Sequence, residues 1–134
     1  MNLEQLHAEW KSDSQIEFNK LDVSSVETPK LHAKYLELLS TYKLKLKDAE
    51  FKQKELMKNK WLWYNGKLDQ DEIEKLGWDP DPFDGLRILK GEMQHYVEAD
   101  PELVASEAKM AYLNTIIETL KEILENIKWR HQTI

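Results

Sequence analysis

Residues 35–64 read YLELLSTYKLKLKDAEFKQKELMKNKWLWY, and their spacing decides the fold. Positions 35, 39, 42, 46, 49, 53, 56, 60 and 63 step alternately by four and three and carry Tyr, Leu, Tyr, Leu, Ala, Gln, Leu, Lys and Trp. Apolar residues recurring at that spacing form the seam of a helix that packs on another helix. Leu31, Leu36 and Leu38 widen the seam at its N-terminal end, as burial in a bundle requires. Thr28 followed by Pro29 predicts the helix start, and Asn65–Gly66 its end, with glycine supplying the left-handed cap. A helix over residues 30–66 spans about 50 Å at 1.5 Å per residue, which points to partner chains covering part of it.

A second seam lies at the C-terminal end. Positions 106, 110, 113, 117, 120, 124, 127, 131 and 134 carry Ser, Met, Leu, Ile, Leu, Leu, Ile, His and Ile, with Ile116 and Ile123 as a second stripe. Asp100 is placed to cap this helix, with Pro101 at its first position and Glu102 in its first turn. The seam runs to Ile134 without a glycine stop, as expected of a pattern that continues past the last residue, with a natural stop there the alternative. His131 on this seam is expected as a packed or capping histidine.

Between the seams, residues 67–100 are broken by glycine and proline. Asp69 and Glu72 have capping-box spacing for a short helix ending at Gly77. Trp78-Asp-Pro-Asp-Pro-Phe83 predicts an extended turn, and Leu86, Leu89, Met93 and Tyr96/Val97 predict a helix over about 83–97. Before residue 30, Leu3, Leu6 and Trp10 mark a short helix ended by Ser12–Asp13–Ser14, and Ile16, Phe18 and Leu21 an irregular stretch packed on the main helices. No convincing strand pattern occurs. The expectation is one all-α domain over residues 1–134, a long-helix bundle with coiled-coil-like seams, divided as 1–29, 30–66, 67–100 and 101–134.

Composition narrows the function. In 134 residues there is no cysteine, so no disulfide, thiolate nucleophile or Cys-type zinc site. No run of 18 apolar residues suggests a membrane span. The start, MNLEQLHAEW, lacks the basic and apolar regions of a signal peptide. GxxxxGK[ST], HExxH, GxSxG and GxGxxG are all absent, and the four histidines are dispersed, so no cofactor is expected. Asp69, Asp71, Glu72 and Glu74 read as helix-start acids, and Asp79, Asp81 and Asp84 as turn formers beside proline, with a divalent-ion role the weaker reading.

The net charge of −6 is unevenly spread. Residues 1–29 hold two lysines against six acids, residues 30–67 ten lysines against four, and residues 68–134 seven basic residues against fifteen acids. Within the basic middle, Lys58-Asn-Lys-Trp-Leu-Trp-Tyr-Asn-Gly-Lys67 gathers three lysines and three aromatics. Lysines neutralise phosphates and aromatic rings stack unpaired bases, a pairing suited to single-stranded nucleic acid. Lys43, Lys45, Lys47, Lys52 and Lys54 extend a basic track along the same helix. Trp63, on the seam, is expected inside. For Trp61 and Tyr64, stacking and packing are both open. On residues alone, a coiled-coil structural or adaptor protein without DNA binding ranks first, ahead of a small enzyme whose carboxylate or histidine cluster only folding would create.

The pattern Lys-x-basic-x-x-x-Tyr-x-Gly, here Lys58, Lys60, Tyr64 and Gly66, is followed by Asp69, Asp71 and Glu72. In this motif and in the placement of the terminal helices, the chain resembles the UvsY family, recombination mediators of T-even-like bacteriophages. The resemblance implies binding of single-stranded DNA by the basic pair Lys58 and Lys60. It implies loading of a phage RecA-like recombinase onto strands coated by a phage single-stranded DNA-binding protein, without nucleotide hydrolysis, in the cytoplasm of the infected bacterial host. It also implies ring-like homo-oligomers, hexamers or heptamers, assembled through the C-terminal helix, hence an interface at Leu113, Ile117, Leu120, Leu124 and Ile127. Where the family can have arginine, this chain has Lys60, which keeps the charge and loses the bidentate fork. Trp61, Tyr64 and Lys67 join the expected DNA site from the reading of the residues themselves.

Overall fold

Asn2 opens the first helix by a reciprocal cap. Its Oδ1 accepts from the Gln5 amide at 2.8 Å, and its own amide donates to Gln5 Oε1 at 2.9 Å. Two otherwise unpaired helix-start amides are thereby satisfied. The computed structural model describes residues 2–19, 21–83 and 85–133, and their side chains outside 16–28, 90 and 130–133. The described residues form five helices: α1 Leu3–Asn19, α2 Leu21–Tyr64, α3 Gln70–Leu76, α4 Lys90–Glu98 and α5 Pro101–Thr133. No strand occurs among them. None of these helices is long and apolar enough to cross a membrane.

The chain packs as two compact units, Met1–Lys47 with Ala111–Ile134, and Asp48–Met110. In the first, Leu6, Tyr35, Leu39, Tyr42, Leu113, Ile116, Ile117, Leu120, Ile123 and Ile127 are buried. Trp10 meets the Tyr35 ring edge-on with centroids 5.6 Å apart. Asp13 Oδ2 accepts from Lys34 Nζ and from the Tyr35 hydroxyl, each at 2.7 Å, and Lys34 also pairs with Glu9. Burial and the bond to Asp13 push the Tyr35 hydroxyl well above its usual range. Burial lowers Lys34, but the hydrogen bonds to Asp13 and Glu9 outweigh it and hold the ammonium above its ordinary value.

These contacts explain two departures from the sequence reading. α1 does not end at Ser12–Asp13–Ser14 but continues to Asn19. Asp13 is engaged by α2 and does not compete for its own backbone amides, so the stop signal is overridden. α2 likewise starts at Leu21, with Pro29 inside it rather than at its first position. Proline's fixed φ is helical; what is lost is one backbone hydrogen bond to the preceding turn. The packing of Ile16, Phe18 and Leu21 and the role of His131 fall on side chains outside the described residues, as does Asp84.

The five expected interface residues lie in the first unit. Leu113, Ile117, Leu120 and Ile127 are buried in the first unit of this same chain, and Leu124 is half-buried. Their apolarity is accounted for by packing within the chain.

In the second unit, α2 ends as its sequence dictates. The Lys67 amide donates to Leu62 O at 2.8 Å and the Gly66 amide to Trp63 O at 3.1 Å, with Gly66 at φ 70°. That paired closure needs a left-handed residue, which glycine supplies. α3 is closed in the same way by Gly77 at φ 73°. Asp69 stands at its N-cap position but makes no side-chain capping bond. The expected helix from Phe83 begins only at Lys90. Gly85 is the reason: at φ 85° it is left-handed and interrupts a right-handed helix, and the Asp81 carboxylate holds this turn by accepting from the amides of Phe83 at 3.0 Å and Gly85 at 2.7 Å. Leu86 and Leu89, expected on a packed face, are therefore more than 70% exposed, at 71% and 72%.

Candidate nucleic-acid interface

Helical spacing sorts the end of α2 into two faces. Ala49, Gln53 and Lys60 share the buried face. Phe51, Lys54, Lys58 and Trp61 follow each other at steps of three, four and three on another, and all four are exposed. Residues so spaced lie on one side of a 3.6-residue helix. Lys54 Nζ lies 6.0 Å from the centroid of Phe51, and Lys67, from the turn after α2, reaches within 5.5 Å of Trp61. Cations over rings at these distances are attracted by the ring quadrupole and stay solvated enough to meet an anion.

The sequence-expected site divides accordingly. Lys58, Trp61 and Lys67 come together on the outside. Lys60 and Tyr64 do not join them. Lys60 is only 3% exposed; its ammonium lies 3.2 Å from Asp100 and 3.4 Å from Glu102. The rings of Trp78 and Trp63 stand 4.1 and 4.6 Å from the same nitrogen. Tyr64 donates to Asp100 Oδ2 at 2.6 Å. In this structure Lys60 presents no charge to a phosphate, and Tyr64 holds Asp100. Trp63 is half-buried, as its seam position predicts, with its indole N–H donating to Asp79 O at 2.7 Å.

Asp100 is the residue this arrangement turns on. Its Oδ1 caps α5, accepting from the amides of Glu102 at 2.9 Å and Leu103 at 3.2 Å, while Oδ2 faces Tyr64 and Lys60. Burial pushes its carboxyl up. The bonds from Tyr64, Leu103 and Lys60 outweigh that and hold it below the usual carboxylate range. Burial and the bond to Asp100 push the Tyr64 phenol well above its usual range. Trp63 packs on Trp78 and Tyr64, and Tyr64 on Phe83, with centroids 4.8–5.5 Å apart. The effect is to fix the last turns of α2 against the start of α5, which sets the direction of the exposed lysine face. Sequence spacing identified Asp100 as a cap only; nothing in the local pattern announces a partner 40 residues upstream.

A groove of about 670 Å³ adjoins the exposed face, lined by Met57, Trp61, Asn65, Lys67, Met93, Gln94, Val97 and Glu98. Met57 and Met93 carried no functional signal in the sequence. Among the described residues no group of three or more His, Asp or Glu side chains could hold a metal ion.

The surface thus offers exposed ammoniums beside an exposed indole. The family model described as "Recombination, repair and ssDNA binding protein UvsY" matches residues 9–134. The chain belongs to the UvsY family. It is 27% identical over 130 residues to the recombination protein uvsY of Enterobacteria phage T4, covering 97% of this chain and 88% of that one. Its fold matches the crystal structure of the bacteriophage T4 recombination mediator protein UvsY with a TM-score of 0.81 at 26% identity, over 99% of this chain and 90% of that chain. UvsY-family membership makes the chain one of a group of phage recombination, repair and single-stranded DNA-binding proteins.

Proposed function

We propose that this chain is a recombination mediator that loads a RecA-like recombinase onto single-stranded DNA coated by a phage single-stranded DNA-binding protein, in the cytoplasm of the infected host. Lys58 and Lys67 contact phosphates, joined by Lys54, and Trp61 stacks on bases; Lys60 and Tyr64 position that face from within. The supporting observation is the exposed run of Lys54, Lys58 and Trp61 on one side of α2 with Lys67 beside it. A few lysines per subunit give weak, salt-sensitive binding. A ring-like homo-oligomer of six or seven subunits multiplies those contacts on one strand and raises affinity through effective concentration. Because Leu113, Ile117, Leu120 and Ile127 are covered within the chain, contact between copies falls on side chains that α5 leaves exposed, such as Val104 and Trp129. Winding the strand on such a particle loosens the coat protein and frees DNA for recombinase nucleation. The mediator itself performs no catalysis and needs no cofactor.

The test is recombinase nucleation on coated strands, followed by the lag before its DNA-dependent nucleotide hydrolysis. Adding this protein shortens the lag, and the Lys58→Ala variant shortens it less. A lag unchanged by a protein that still binds the strand would overturn the loading step.

A further inference from the structure

The groove beside Trp61 has a mixed lining. Met57, Trp61, Met93 and Val97 give it apolar walls, and Asn65, Lys67, Gln94 and Glu98 bring polar groups to the same space. Gln94 Nε2 donates to Glu98 Oε1 at 3.1 Å, so an amide and a carboxylate stand together there. Trp61 is 49% exposed, with Lys67 reaching its ring. Lys58, three residues before Trp61, lies about 4.5 Å back along the helix axis by the 1.5 Å rise per residue. A purely aliphatic groove would suit a peptide side chain. A flat indole, polarisable thioethers, hydrogen-bonding groups and flanking ammoniums together suit a planar heterocycle attached to a phosphate.

We propose that this groove takes one unpaired nucleobase, stacked on Trp61, from a strand whose phosphates lie along Lys54 and Lys58. The inference rests on the single-strand-binding reading above and goes further, assigning the base its own seat and the walls Met57 and Met93 a role in holding it. Entry of the base brings its phosphate to Lys67, which stays at the mouth as its counter-ion. Gln94 and Glu98 meet the base edge. Both can accept a hydrogen bond from an exocyclic amino group, and every base except thymine offers one.

The experiment compares two labelled oligonucleotides of equal length, one with all its bases and one with abasic sugars through its centre, titrated into the full chain. The phosphates are the same, so lysine contacts alone cannot tell them apart. The unmodified protein binds the complete strand at least about fivefold tighter, the lower end of what one stacked base contributes. Trp61→Leu removes that preference and leaves affinity for the abasic strand unchanged. Met93→Ala, which removes the facing wall and changes no charge, lowers the preference without changing affinity for the abasic strand, so the test does not depend on one variant folding. Equal affinity of the unmodified protein for both strands overturns the base seat and leaves phosphate binding standing. Binding of neither strand overturns the single-strand reading and this inference with it. A change in particle mass for Trp61→Leu, with base preference retained, makes the groove a contact between copies and overturns the inference.

Discussion

Replacing Asp100 by Asn separates the structural role of Lys60 from a DNA-contacting one. Asn keeps an Oδ1 acceptor for the amides of Glu102 and Leu103, so the cap on α5 survives. What disappears is the carboxylate charge 3.2 Å from an ammonium that is 4% exposed. Removing one partner of a buried pair destabilises by about 3–5 kcal/mol, because the remaining charge stays desolvated. Part is retained here. Glu102 remains 3.4 Å from Lys60, although its own side chain is 53% exposed and so screened, and two indole rings still face the ammonium. The expected loss is about 2–4 kcal/mol, measured by urea unfolding. Lys60→Met alone leaves Asp100 three hydrogen bonds and loses less, about 1–3 kcal/mol. The double variant lies closer to the unmodified protein than the two losses summed, since neither charge is then stranded. Single losses below about 0.5 kcal/mol, with Lys60→Met instead abolishing DNA affinity, would refute the burial of Lys60.

Three further outcomes follow from particular groups. Among the described residues the Oε1 of buried Gln53 finds no donor, so Gln53→Met stabilises by about 1 kcal/mol, seen as a rise in Tm. Gly66 sits at φ +70° with no atom of the described residues within 4 Å of a Cβ, so Gly66→Ala is disfavoured by backbone conformation alone, by about 1 kcal/mol in denaturant unfolding. The folded Asp100 carboxyl titrates below its unfolded value, so its contribution is fully present above the unfolded carboxylate pKa and is lost as pH falls through the lower folded one. Stability of the unmodified protein therefore falls on acidification through that window more steeply than that of Asp100→Asn, measured by unfolding at a series of pH values.

Legibility in the sequence followed the range of the interaction. Signals carried by adjacent residues survive folding: Asn65–Gly66 closes α2, Gly77 closes α3, and Asp100–Pro101 opens α5. Where distant groups compete, local reading fails. Asp13 looks like a helix stop until Lys34 and Tyr35 engage it. At shorter range, Leu86, Leu89 and Met93 have helical spacing, yet Gly85 is left-handed and interrupts a helix from Phe83. The candidate site shows the same division. Lys58 and Lys60 are two residues apart and indistinguishable in composition, but two residues turn a helix by about 200°, sending one outward and the other into the core. The heptad seam already placed Lys60 on the buried side. What the sequence lacked was Asp100, the partner that makes burial of that charge tolerable. The apolar seam of α5 read equally well as a contact between copies or as a core, and the first unit uses Leu113, Ile117, Leu120 and Ile127 as core.

The most direct test of the exposed lysine face is the salt dependence of binding to single-stranded DNA, followed by anisotropy from about 50 to about 500 mM salt. The protein is compared with a variant carrying Lys54→Gln, Lys58→Gln and Lys67→Gln, three exposed positions that leave the Lys60–Asp100 pair untouched. The account predicts weaker binding at every salt concentration and a log–log slope shallower by about 2, near 0.7 for each phosphate contact removed. An unchanged affinity and slope in a folded triple variant would contradict it.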